Sequence, residues 1–235
     1  MAHFDTWQLI ALAGALGWAS GLRLYAVLFI TGALGYFDWV DLPGGLTVLA
    51  HPLVLAASGF MCLVEFFADK VPGLDSLWDF VHTFIRIPAG AAIAASVFGD
   101  SGGAMMIAAA ILGGGLAAGS HLAKAGGRAA INTSPEPFSN WAASFAEDFG
   151  VGILIWLAFA HPMIALVLVA LLLALAAWLL PKLWRALRRL RTLARNGQAR
   201  PRSLRRVGGR RWPKPGRPSG HSLPISKSTA GRCRC

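Results

Sequence analysis

Six apolar stretches, each long enough to cross a bilayer as a helix, fill the first 181 residues of the chain. A hydrocarbon core of about 30 Å takes roughly 20 mostly apolar residues per helix. The stretches run over residues 7–36, 50–69, 76–98, 104–131, 139–160 and 162–180. Gly17 and Ser20-Gly21 interrupt the first. His161-Pro162 divides the run 149–180 into the last two, because proline disfavours helix in the residue before it and suits a first helical turn. Only 14% of the 235 residues are charged, against about 25% in soluble domains. That excludes an ordinary water-soluble enzyme and a disordered chain. The expected fold class is all-α, a polytopic membrane helix bundle of about six transmembrane helices.

The net charge of +11 averages two opposite parts. Residues 1–181 contain all 11 acids and five bases, Arg23, Lys70, Arg86, Lys124 and Arg128; residues 182–235 contain 17 bases and no acid. Six crossings put both termini on one side. Lys70, Lys124, Arg128 and the basic tail fall on that side, whereas Asp38, Asp41 and Asp100 fall on the other. The positive-inside rule then makes both termini cytoplasmic, in a multi-pass protein of the inner membrane. The N-terminus has no basic region before its apolar stretch, so that stretch is expected to be a retained span and not a cleaved signal.

Three parts follow: a bundle over 1–181, a basic amphipathic juxtamembrane helix over 182–195, and a disordered basic tail over 196–235. In the second part Leu183, Leu187, Leu190 and Ala194 share a face and bases fill the rest, which suits anionic phospholipids. With no aromatic interleaving beyond Trp212 in the tail, nucleic acid is not an expected partner. Cys62, Cys233 and Cys235 have neither disulfide nor metal-site spacing.

The polar residues inside the apolar stretches are ordered. Ionisable groups there are costly and normally turn toward the bundle interior. Asp75, Asp79, His82 and Arg86 recur at helical spacing along one face, as do Ser58, Cys62, Glu65 and Asp69, and His121, Lys124, Arg128 and Asn132. Asn140, Ser144 and Glu147 or Asp148 continue the pattern, and Arg23 stands alone in the first stretch. Mutual pairing is the least costly arrangement. Arg23 and Arg86 are expected to face Glu147 and Asp148, with Glu65, Asp69 and Asp79 meeting Lys124 and Arg128. Gly17-x3-Gly21 and Gly115-x3-Gly119 are expected to allow close helix approach, and the glycine-rich fourth stretch to occupy the middle of the bundle. Pro72-x3-Ser76-x-Trp78 recurs as Pro135-x3-Ser139-x-Trp141, which suggests a parallel internal repeat of helix hairpins. Ser76 and Ser139 read locally as helix N-caps.

The strings Gly17-Trp-Ala-Ser-Gly-Leu-Arg-Leu-Tyr25, Glu65-Phe-Phe-Ala-Asp-Lys-Val-Pro-Gly-Leu-Asp-Ser-Leu-Trp-Asp79, Arg86-Ile-Pro-Ala-Gly90 and Asn132-Thr-Ser-Pro-Glu-Pro-Phe-Ser-Asn-Trp141, with Glu147-Asp148, cover about residues 10–185. On them the chain resembles a bacterial membrane family catalogued as a domain of unknown function, serial number 4126. The resemblance implies a bacterial integral membrane protein and brings no assigned activity, substrate or cofactor.

Two functional classes remain. In one, Arg23, Glu65, Asp69, Asp79, His82, Arg86, Lys124, Arg128, Glu147 and Asp148 line a polar pathway of a small transporter or channel for an ion or charged solute, with no cofactor, metal or catalytic residue. In the other, the acids Asp69, Asp75 and Asp79 hold a divalent metal in a membrane-embedded enzyme acting on a lipid or isoprenoid. A structural scaffold subunit is a further alternative, its charged network pinning the helices.

Overall fold

The computed structural model describes residues 4–71, 73–131 and 137–197. They form six helices: α1 (Thr6–Tyr36), α2 (Pro52–Ala68), α3 (Leu74–Val97), α4 (Gly103–Ile131), α5 (Pro137–Ala160) and α6 (Pro162–Gly197), with a 3-10 turn at Gly44–Ala50. The helices coincide closely with the six apolar stretches, and α5 gives way to α6 at His161-Pro162. Residues 1–191 make one compact unit. The second begins at Thr192, and only its first residues, the end of α6, are described. Pro72, the 132–136 loop, the side chains of the amphipathic face expected over 183–194, and the tail beyond Gly197 lie outside the described residues. So do the prolines that define the sequence repeat.

Asp5 starts α1 with a capping box in which its side chain and that of Gln8 satisfy exposed backbone donors. Pro52 and Pro162 occupy first turns, where a missing N–H is harmless. α3 is capped differently from expectation: Gly73 is the N-cap residue, and Asp75 accepts from the Gly73 and Ser76 backbone N–H groups at 2.8 and 2.6 Å. Helices α1, α3, α4, α5 and α6 are each long and apolar enough to cross a membrane, and α2 with the 3-10 turn, bent by 71°, makes a sixth candidate. Leu53, Phe84, Phe149 and Leu171 stand exposed on the outside. A surface this apolar is suited to lipid, not water.

The path of α1 departs from expectation. Straight, its 31 residues would span about 46 Å. Instead Arg23 has extended backbone angles, φ −142° and ψ 77°, and the helix breaks there into arms 6–22 and 24–36. Along the first arm, Gly17 lies at Gly113, Gly21 at Ala117 and Ser120, and Leu22 at Lys124, so this arm runs parallel to α4. Along the second, Phe29 lies at Gly59 and Gly32 at Leu55, so this arm runs antiparallel to α2. Both ends return to one end of the bundle. Phe4 and Leu9 line a cavity with Leu42, Thr47, Val97 and Asp100, while Leu42 packs on Gly35. α1 is therefore a re-entrant hairpin with Arg23 at its tip. It packs against α2, α3, α4 and α5.

Three expectations change as a result. The middle of the bundle belongs to α1, whose most apolar window is 67% buried, and not to α4, whose window is 28% buried. The described termini of the bundle lie at opposite ends: Phe4 sits with Asp100, whereas Trp184 sits with Leu122 and Ala129 near the other end of α4. The break also falls at Arg23 and not at Gly17 or Ser20-Gly21.

The glycines have another task. A Cβ on Gly17 would lie 2.9 Å from the Gly113 Cα, and one on Gly113 would lie 2.8 Å from the Gly90 carbonyl oxygen. One on Gly21 would overlap the Ser120 hydroxyl and the Ala117 carbonyl. The first arm, α3 and α4 thus meet backbone to backbone. Gly113 is the contact on α4, because Gly115 has open space before it.

Two outcomes follow from this packing. Gly21→Val should destabilise the protein by about 1–3 kcal/mol, the usual range for overpacking a close contact, read as a lower thermal midpoint in detergent. In a background with the native cysteines replaced by serine, Asp5→Cys and Ser101→Cys should react with an impermeant thiol reagent from the same membrane face, and Val71→Cys from the opposite one. Labelling of Asp5→Cys from the Val71 face would refute the hairpin.

Candidate functional site

Breaking α1 strands backbone carbonyls in the centre of the bundle, where each unpaired polar group costs several kcal/mol. α4 answers with Lys124 at the freed Leu22 carbonyl, and Ser120 one turn earlier adds a bond to a carbonyl within the arm. The Ser120 hydroxyl donates to the Trp18 carbonyl at 2.7 Å, and Lys124 Nζ donates to the Leu22 carbonyl at 3.1 Å. A cation at this position also suits the negative C-terminal end of the first arm.

Arg23 itself is 1% exposed. Its guanidinium pairs with Asp69 at 2.9 Å and Asp148 at 3.0 Å, and donates to the Ser144 hydroxyl at 2.8 Å and to the Ser144 and Glu65 carbonyls at 3.2 and 3.4 Å. Its Nε lies 3.8 Å from Glu147. One side chain at the hairpin tip therefore ties α1 to the end of α2 and to α5.

Arg86 forms a second centre. Its two terminal nitrogens pair with Glu65 at 2.6 Å and Asp79 at 2.7 Å. The expected pairing of Arg23 with Glu147 and Asp148 is present, but Arg86 faces Glu65 and Asp79. The reason is local: Asp79 lies two helical turns before Arg86 on the same face of α3, and α2 brings Glu65 to the opposite side. Lys124 joins the two centres, with Asp69 at 2.6 Å, Glu147 at 3.4 Å and Asp79 at 3.5 Å. Arg128 pairs with Glu147 at 3.0 Å and donates to the Asp69 and Asn140 carbonyls and to the Asn140 side-chain oxygen.

The histidines are set by their neighbours. His82 Nδ1 donates to the Trp78 carbonyl at 2.9 Å, which leaves Nε2 to accept from the Tyr25 hydroxyl at 3.3 Å, and its ring stacks on Trp78. The Thr83 hydroxyl donates to the Asp79 carbonyl, so the His121 Nε2 donates to Thr83 at 2.7 Å and its Nδ1 accepts from Arg86 at 3.3 Å.

All ten residues expected at the site converge in one network: the nine charged ones through shared ion pairs, and His82 through Tyr25 at the hairpin tip, with His121 beside it on Arg86. Ser120, Thr83 and the Tyr25 hydroxyl were not singled out from sequence. Isolated hydroxyls in apolar helices are common, and only the path of α1 shows which ones it needs. Asp69, Asp75 and Asp79 do not assemble as a metal site. Among the described residues no group of three or more His, Cys, Asp or Glu is placed to hold a metal ion. Asp75 accepts from the Gly73 and Ser76 backbone N–H groups, while Asp69 and Asp79 face cations.

The network is closed except on one side. Glu147 and Asp148 are 16% and 26% exposed and Lys70 13%, whereas the other charged members are 5% or less. Lys70 lies between α2 and α5, 3.0 Å from the Phe66 ring centre and 4.5 Å from that of Phe145, with Asp148 3.8 Å away. Burial among these rings pushes its ammonium below the usual lysine range. Four buried carboxylate oxygens, Glu65 Oε2, Asp69 Oδ1, Asp79 Oδ2 and Asp148 Oδ2, have no hydrogen-bond partner among the described residues. The carboxylates that carry them pair with Arg23, Lys70, Arg86 and Lys124.

Residues 10–182 match the family described as Domain of unknown function (DUF4126). The chain belongs to this family. No curated protein and no solved structure matches it. The DUF4126 match spans the hairpin, all four polar stripes and most of α6, and it ends near the basic segment.

Breaking one member of a buried ion cluster strands the others, at about 3–5 kcal/mol. Arg86→Met should therefore lower the unfolding midpoint strongly, because Glu65 and Asp79 lose their shared partner. Adding Glu65→Gln and Asp79→Asn to it should restore much of the loss. Equal destabilisation by the single and triple variants would contradict the pairing.

Proposed function

We propose that this DUF4126 protein is a small membrane transporter or channel, and that the network around Arg23 forms its polar pathway for an ion or charged solute. The supporting observation is the break in α1 at Arg23. Non-helical backbone at membrane depth is kept only where protein buries it or where it borders a polar cavity. Discontinuous helices meeting at such a depth are a recurring plan for transport sites, with broken helix ends and charged side chains presented together. The spare oxygens of Glu65, Asp69 and Asp79 favour a proton or another cation as the moving species.

In this reading Asp148 and Glu147, the acids that reach the surface, take up the cation beside Lys70. Asp69 receives it from them, since Arg23 is shared among these three acids and Lys124 between Asp69 and Glu147. Neutralising Asp148 loosens its hold on Arg23, and Arg23 is the point where α1 bends. Uptake of charge and movement of the hairpin are thereby linked. By the positive-inside rule the end of the bundle carrying Lys70 and the basic segment is cytoplasmic, in a bacterial inner membrane, with the open ends of the hairpin outside.

Purified protein in proteoliposomes, loaded with a pH-sensitive dye and tested with sodium, potassium and imposed pH gradients, should pass at least one of these ions. Asp148→Asn and Arg23→Gln should remove most of that flux while the protein inserts and remains monodisperse. Absence of ion flux in the wild type, with variants that only aggregate, would reduce the network to a scaffold that pins the helices.

A further inference from the structure

On the surface, α4 and α6 stand apart and leave a groove of about 500 Å³. Leu122, Ala125 and Ala129 line it from α4, and Leu180, Pro181 and Trp184 from α6. Its walls are almost wholly apolar. Small residues on α4 hold it open, since side chains of one or no carbon at 125, 126 and 129 cannot reach α6.

The polar end of the groove is strongly cationic. Proline 181 and Trp184 share their helical face with Arg185 and Arg188. Arg185 Nε donates to the Pro181 carbonyl at 3.1 Å, and the Arg188 guanidinium lies 4.9 Å from the Trp184 ring centre. Both guanidiniums are thus held over the groove's own wall. Lys182 adds a third cation, 3.3 Å from the Trp178 ring centre. No acid occurs anywhere from 182 to 235, and the described ion pairs all belong to the Arg23 network. An apolar slot that ends in two anchored guanidiniums matches one molecule of the surrounding bilayer: an acyl chain joined to a phosphate.

We propose that this groove is a binding site for an anionic phospholipid, with one acyl chain between α4 and α6 and the headgroup phosphate on Arg185 and Arg188. The guanidinium fork suits phosphate oxygens, and the cation–π contact with Trp184 fixes one fork before the lipid arrives. A zwitterionic lipid fills the same slot but brings a second, positive charge to the same cations. The site is independent of whether the central network conducts.

The test uses the full-length protein in detergent, titrated with dioleoylphosphatidylglycerol or dioleoylphosphatidylcholine, with bound lipid read by native mass spectrometry. The wild type should bind the anionic lipid more tightly. The exposed double variant Arg185→Gln/Arg188→Gln should weaken that binding by about fivefold per base removed and leave phosphatidylcholine binding nearly unchanged. Ala125→Phe, which fills the slot without touching charge, should weaken both lipids. Equal binding of the two lipids to wild type would overturn the proposal. So would a double variant that keeps its preference, because the preference would then arise from the many other bases of the tail and not from this groove.

Discussion

A guanidinium cannot lie alone in the middle of an apolar bundle, and Arg23 is placed at its centre by a break in the most buried helix. Much of the interior can be read as the consequence. The break exposes the Leu22 carbonyl, which Lys124 satisfies. The charge requires Asp69 and Asp148, and these bring their own need for Lys124 and Lys70. Each added ion recruits another, until the cluster reaches α2, α3, α4 and α5. Such a cluster adds little net stability compared with apolar packing, since desolvation offsets most of the attraction. What it confers is register: each helix has one depth and one rotation at which its charges meet.

Packing makes this possible. The arm 6–22 fits between α3 and α4 because Gly17, Gly21, Gly90 and Gly113 let backbones touch. Without a hydrophobic force between helices in lipid, such close van der Waals contact is a main source of association. Glycine contacts and ion pairs divide the hairpin between them. The first arm is held by backbone proximity at Gly17 and Gly21, and its tip is held by charge. A hinge at the boundary, with Asp148 and Lys70 near the surface, is the arrangement on which the proposed transport cycle rests. The groove proposed to hold a lipid lies between α4 and α6, where small residues of α4 leave a gap beside the basic segment.

The site was largely legible in the sequence, residue by residue. Helical spacing of Asp75, Asp79, His82 and Arg86, and of Glu65 and Asp69, is decisive in an apolar background because no other force would align charges so. The partners were less legible. Periodicity gives the face of a helix but not its neighbour, so Arg86 was matched with α5 when Asp79 and Glu65 stood closer. The glycines show the same limit. Gly113 and Gly115 are equivalent in composition, and only the rotation of α4 selects the one that touches Gly17.

What the sequence alone determined is the solvent of this protein and the ordering of its polar faces. Apolar length excludes water as the medium, and hydrocarbon forces charges inward wherever they occur. What tertiary structure decided is the path of the first helix. Residues 7–36 have the length and apolarity of a crossing segment, and nothing in their local propensity demands a turn at Arg23. The turn exists because acids on α2 and α5 and a lysine on α4 converge at one depth, and a straight helix could not present both Arg23 and its freed carbonyls to them. That convergence is a property of the assembled bundle, which no single segment carries.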